Sequence, residues 1–91
     1  MVELEQDIIY INQVLDGNRD AFAFLVDKYK SMVFSLALRI TRDREEAEEI
    51  SQDTFIKAFQ SLNSFQGKAK FSSWLYRIVY NTGISHLRKQ E

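Results

Sequence analysis

The stretch DAFAFLVDKYKSMVFSLALRI, from Asp20 to Ile40, decides the fold class. Phe22, Leu25, Val26, Tyr29, Val33, Leu36 and Ile40 recur at the i, i+3, i+4, i+7 interval of an α-helix, and strand-like alternation is absent. Phe24, Phe34 and Leu38 fall on the opposite side of the same helix. A helix that is apolar on two sides has neighbours on both, so this segment is expected at the centre of a bundle.

The flanking segments read as helices too. Upstream, about Glu5 to Leu15, Ile8, Ile11, Val14 and Leu15 form one stripe, which Gly17-Asn18 stops. Downstream, Asp43 stands where a third helix needs its N-cap, with Glu46 three residues on in the capping-box position. That helix is expected to run to about Leu62. Asn63 to Lys70, NSFQGKAK, reads as a loop turning at Gly67. Ser72 then caps a fourth helix that runs to about Arg88. Gly83 lies inside it and should cost about 1 kcal/mol against Ala, so the last turns are expected to fray. The fold expected is all-α: a compact bundle of about four helices, one domain over residues 1–91, with a single modest core.

Composition removes several classes of function. The chain has no cysteine, so disulfides and thiolate metal sites are excluded and the redox compartment is left undetermined. Its one histidine, His86, cannot build a metal centre by itself and has no Ser-Asp partnership that spacing supports. Gly67 stands alone, so there is no Gly-rich phosphate loop. No enzyme activity and no cofactor are expected. Glu3, Glu5 and Asp7 give the N-terminal stretch the wrong charge for a signal peptide, and the apolar runs are far shorter than a membrane span. A cytoplasmic protein without membrane insertion is the expectation.

The net charge of −1 hides an asymmetry. Residues 1–27 carry one base and six acids, residues 28–65 six of each, and residues 66–91 five bases and one acid. The C-terminal quarter, at +4, is the part that suits phosphates. The same pattern also fits a solvated basic helix end favoured by the helix dipole.

Two helix faces and a loop stand out. On the third segment Glu45, Glu49, Gln52, Asp53 and Ile56 share one side with Glu48 flanking, opposite Ala47, Ile50, Thr54 and Ala58. An acidic strip around an apolar anchor suits a basic partner helix, although a solvated face with one stray isoleucine gives the same pattern. On the fourth segment Trp74, Arg77, Asn81, Ser85 and Arg88 share a face, with Lys68 and Lys70 just upstream. Guanidinium and ammonium groups neutralise phosphates, an amide bonds base edges, and aromatics stack on exposed bases. Trp74 fits the core equally well. Asn81 has poor helix propensity for a mid-helix position, which favours a functional reason for it. Phe65 and Phe71 bracket the basic loop, which reads either as a pocket for an unpaired base or as an ordinary connection pinned by two core aromatics.

Taken in order, DAFAFLVDKYK (Asp20–Lys30), EEAEEISQDTFIKAF (Glu45–Phe59) and FQGKAKFSSWLYRIVYNTGISHLRK (Phe65–Lys89) resemble region 2 of the extracytoplasmic-function sigma factors of bacterial RNA polymerase. The resemblance covers nearly the whole chain. It implies a compact helical domain whose third helix docks on the clamp coiled coil of the polymerase through Glu48, Glu49, Gln52, Asp53 and Ile56. It also implies a specificity loop that captures a base flipped from the non-template strand of the promoter −10 element, within Phe65–Ser73, and a last helix that completes the contacts. On that basis Lys68, Lys70, Phe71, Ser72, Ser73, Trp74, Arg77, Asn81 and Arg88 are expected at the DNA, with Asn81 contacting a base. Many family members carry an Asp near Ser85 and a small helix former at Gly83, where this chain departs. Full members continue into a helix-turn-helix domain, region 4, absent here, so the chain reads as an isolated domain or a truncated piece that binds promoter DNA weakly. An anti-sigma protein is a further partner that the resemblance allows.

Two other classes fit parts of the pattern. A helix-turn-helix domain would insert a helix into duplex DNA, but the long connection before the fourth helix suits it poorly. A helical interaction adaptor would use the acidic face and show no DNA affinity at low salt.

Overall fold

The structure, a computed structural model, describes residues 2–90, with side chains for residues 6–89. Met1 and Glu91, the bounds of the expected domain, and the side chains of Glu3 and Glu5 lie outside the described residues. Four α-helices share one core: α1 (Val2–Leu15), α2 (Phe22–Thr41), α3 (Arg44–Gln60) and α4 (Phe71–Gln90). Short 3-10 turns at Arg19–Ala21 and Leu62–Ser64 lead into α2 and out of α3. Among the described residues no helix is long and apolar enough to cross a membrane.

α2 takes the central place its two apolar sides imply and packs against each of the other helices. Leu25, Val33 and Ala37 are fully buried, and meet Ile50 and Ala58 of α3 and Leu75 and Val79 of α4 in the same core. Its second side is only half covered. Phe34 and Leu38 are partly buried, whereas Phe24 is exposed and stacks on Tyr10 at 4.7 Å. α1 is tied to α2 by Asp7, which is buried and accepts hydrogen bonds from Lys28 Nζ at 2.8 Å and from the Tyr29 hydroxyl.

The corner between α2 and α3 is built locally. Arg42 adopts the left-handed conformation (φ 59°) and its N–H closes the last turn on the Leu38 carbonyl at 2.7 Å. Asp43 is extended, and its carboxylate accepts the N–H groups of Glu45 at 2.9 Å and Glu46 at 3.2 Å, the expected N-cap. The return half of the capping box differs: the Asp43 N–H donates to Thr41 Oγ1 at 3.3 Å, and the Glu46 carboxylate turns toward His86.

One expectation for α4 is corrected. The helix begins at Phe71, and the Lys70 carbonyl accepts the N–H groups of Ser73 and Trp74, so Ser72 lies inside the first turn and does not cap it. Gly83 does not end the regular structure, which continues to Gln90. Gly83 is buried, and a Cβ there would meet Ile40 Cδ1 at 2.9 Å and Cγ2 at 3.1 Å. The missing side chain lets α4 approach α2, and that packing offsets the poor helix propensity.

Candidate nucleic-acid interface

The start of α4 is set by aromatic packing. Phe71 is only 1% exposed, with its ring centroid 5.6 Å from Tyr29, 5.7 Å from Phe65 and 5.5 Å from Trp74. Phe65 meets Trp74 at 5.4 Å. The loop is thereby held at both ends, while Gly67 between them takes a left-handed φ of 74° at the turn. Phe71 must therefore be removed from the residues expected to touch DNA. It has no free face, because the helix start needs its whole ring in the core, and it acts by holding Phe65 and Trp74.

Over that support lies an open pocket of about 310 Å³, lined by Phe65, Gly67, Lys68, Ser73, Trp74 and Arg77 among others. Trp74 is half-buried: it belongs to the aromatic cluster and also lines the pocket. Lys68, Lys70, Ser73, Arg77, Asn81 and Arg88 are exposed, and Ser72 is half-buried. Among the described residues none of these four cations pairs with a carboxylate, and the Asn81 amide makes no hydrogen bond. No acid occurs between Asp53 and Glu91, so the charged side chains of the loop and of α4 up to Lys89 are all basic. Chemically, the arrangement offers a pocket with an aromatic floor, uncompensated positive charge around it, and one free amide a turn further along the helix.

α3 presents a separate face. Ala47, Ile50, Thr54 and Ala58 are buried as their spacing predicts, which leaves Glu45, Glu48, Glu49 and Gln52 exposed. Ile56 stands out at 55% exposure, beside a groove of about 340 Å³ that it forms with Phe22, Val26, Phe55 and Phe59. Asp53 is turned partly inward, and its carboxylate lies 2.9 Å from His86 Nε2. This contact spans 33 positions, so no local pattern could have announced it. His86, Glu46 and Glu49 bring one donor atom each within 4.8 Å of one another, a loose set with one exposed carboxylate. The sequence reading also passed over Tyr76 and Tyr80, each 50% exposed on α4. Their signal was helical phase: they flank the buried stripe on the side away from Trp74.

Comparison with known proteins gives consistent results. A family model described as Sigma-70 region 2 matches residues 25–91. The RNA polymerase sigma-H factor of Pseudomonas aeruginosa is 40% identical over 87 residues, which are 96% of this chain and 45% of that protein. The extracytoplasmic-function sigma factor SigW of Bacillus subtilis is 44% identical over 81 residues, 89% of this chain and 43% of that protein. The corresponding sigma-E factor of Escherichia coli K12 is 37% identical over 90 residues, 99% of this chain and 47% of that protein. The chain thus spans a little under half the length of each of these relatives. Among solved structures, an engineered region 2 of sigmaE determined by NMR in complex with GTAAAA superposes with a TM-score of 0.84 at 38% identity. That match covers 90% of this chain and 85% of the other.

Proposed function

Because the chain belongs to the sigma-70 region 2 family, as a region 2 domain of the extracytoplasmic-function type, we propose that it is a specificity module for transcription initiation. It binds core RNA polymerase through α3 and recognises and melts the promoter −10 element by capturing non-template-strand bases at the loop and α4. One observation carries this reading: an open pocket with an aromatic floor adjoins a helix face whose cations and amide are left without internal partners. A merely structural connection would not leave both together.

The chemistry needs no cofactor. Unstacking a base costs a few kcal/mol and is cheapest at weak steps, while a base stacked on an aromatic returns about 1–3 kcal/mol. Trp74 and Phe65 offer the stacking surface, Lys68 and Arg77 the charge for the adjoining phosphates, and Asn81 the base-edge contact. Lys70, Ser72, Ser73 and Arg88 extend the same surface. Glu48, Glu49, Gln52, Asp53 and Ile56 form the docking face for a basic helical element of the polymerase clamp, which holds the domain over the DNA. An anti-sigma partner would act by masking either face.

The test is fluorescence anisotropy at low salt, with a randomised pool of single strands compared with the corresponding duplexes. Preference for particular single strands, weakened by Asn81→Ala, is the expected result. Equal binding to duplex and single strand would favour a helix-turn-helix mode. No binding to any DNA would leave an interaction adaptor acting through α3.

A further inference from the structure

Where α3 meets α4, three carboxylates gather around the chain's one histidine. Glu46, Glu49 and Asp53 follow one another at intervals of three and four along α3, so they share a side of that helix. His86 reaches them from α4. One donor atom each from Glu46, Glu49 and His86 lies within 4.8 Å of the other two. Among the described residues neither glutamate pairs with a lysine or an arginine. Glu46 and His86 are half-buried and Glu49 is exposed, so two carboxylates sit beside a sheltered imidazole with no fixed cation between them. The two ring nitrogens differ in what they meet. Nε2 lies 2.9 Å from Asp53 Oδ2. An ionised carboxylate only accepts, so Nε2 carries the proton and the bond fixes the ring. Nδ1 lies 3.7 Å from Glu46 Oε2, too far for a hydrogen bond. That separation is close to the roughly 3.4 Å between two ligands of one tetrahedral zinc ion, given bonds of about 2.0–2.2 Å.

We propose that Glu46, Glu49 and His86 Nδ1 form a binding site for one divalent transition-metal ion, zinc by preference, with Asp53 orienting the imidazole and water completing the coordination. The proposal stands apart from the DNA-binding role. The nitrogen donor comes from a different helix, so the set is more than the acidic side of α3. Its second nitrogen is already held by a carboxylate, the arrangement in which metal-bound histidines are found, because it fixes the tautomer and raises the basicity of the ligating nitrogen. Imidazole together with carboxylate selects zinc over magnesium and calcium, which favour oxygen ligands throughout. The Glu49 side chain is exposed and unpaired, so it can swing inward to close the set around the ion. An ion held there bridges α3 and α4. Since the two helices meet in this way only in the folded chain, its binding adds to stability.

The experiment titrates the 91-residue chain with zinc chloride and follows the imidazole by long-range proton–nitrogen NMR correlation. His86 is the only histidine, so both ring nitrogens are read without ambiguity. Saturation at one equivalent, with Nδ1 as the nitrogen that shifts and a thermal midpoint that rises with zinc, is the expected result. Magnesium chloride at the same concentration should produce neither change. Glu49→Gln, at an exposed position, should weaken zinc binding by about tenfold or more and leave the zinc-free midpoint near that of the wild type. Asp53→Asn should weaken it about tenfold through loss of the carboxylate behind the ring. Glu45→Gln is the control: an exposed acid on the same helix outside the set, whose loss should leave the affinity unchanged. An imidazole that a large excess of zinc leaves unmoved overturns the site. So does equal weakening by Glu45→Gln and Glu49→Gln, because the cation would then only gather loosely along an acidic helix. Zinc that shifts Nε2 in place of Nδ1 overturns the arrangement, since Asp53 would have to give up the ring.

Discussion

Gly83→Ala is a substitution for which helix propensity and packing give opposite answers. Propensity says that alanine in a helix interior stabilises by about 1 kcal/mol over glycine. The structure sets against this an added Cβ 2.9 Å from Ile40 Cδ1 and 3.1 Å from Ile40 Cγ2. Swinging the terminal methyl relieves the first contact alone. Cγ2 moves only if χ1 of Ile40 changes, and a β-branched side chain in a helix has one strongly preferred χ1. Ile40 lies within α2, so the second contact is stiff. Overpacking of this kind costs about 1–3 kcal/mol, so Gly83→Ala should destabilise by between zero and about 2 kcal/mol. With Ile40→Ala the nearest remaining contact is Ile40 Cβ at 3.6 Å, ordinary van der Waals distance. In that background Gly83→Ala should stabilise by about 1 kcal/mol. Urea unfolding of the four proteins of this double-mutant cycle, followed by circular dichroism and Trp74 fluorescence, measures the difference. The reasoning is refuted if Gly83→Ala stabilises both backgrounds by the same amount, because Ile40 would then exert no steric restraint.

Arg77→Ala should lower the slope of log K against log salt for single-strand binding by about 0.7, the share of one released counterion, with little change in sequence preference; an unchanged slope would remove Arg77 from the phosphate contacts. Ile56→Ala should weaken capture of core RNA polymerase about tenfold, as truncation of an exposed apolar anchor does, while the thermal midpoint stays near wild type because the side chain is 55% exposed. Unchanged capture would make Ile56 a bystander on the acidic face.

Features that depend on local chemistry were readable from the sequence, and those that depend on how two segments meet were not. The Asp43 cap is legible because the donors it satisfies lie two and three residues away. The buried side of α3 is legible because Ala47, Ile50, Thr54 and Ala58 obey the helical period. Ser72 was misread as a cap because a serine before an apolar run is a good local signal. The helix instead starts earlier, where Phe71 can enter the cluster with Tyr29 and Phe65. The same packing buries Phe71, since an aromatic beside a basic loop can face either way and only tertiary contacts decide. Gly83 was read through propensity alone because Ile40, its reason, lies 43 positions away in sequence.

The two proposed faces sit on helices that share one core, and the contacts between those helices set how far binding at one face could alter the other. Ile50 and Ala58 of α3 are fully buried, as are Leu75 and Val79 of α4. Close-packed cores of this kind rearrange between discrete states or not at all. Around them runs a short polar seam: His86 Nε2 to Asp53 at 2.9 Å, His86 Nδ1 to Glu46 at 3.7 Å, and Lys57 Nζ to Thr82 Oγ1 at 3.3 Å. Asp53 alone belongs to both the seam and the proposed docking face. A partner cation that drew its carboxylate away would loosen one contact to α4. The Asp53 carboxylate is 47% exposed, and such a pair contributes at most about 1 kcal/mol. That is less than the 1–3 kcal/mol of a single stacked base. On the proposed reading, docking would therefore act on the DNA face chiefly by placing it, and the melting energy would come from the loop, Trp74 and α4 themselves.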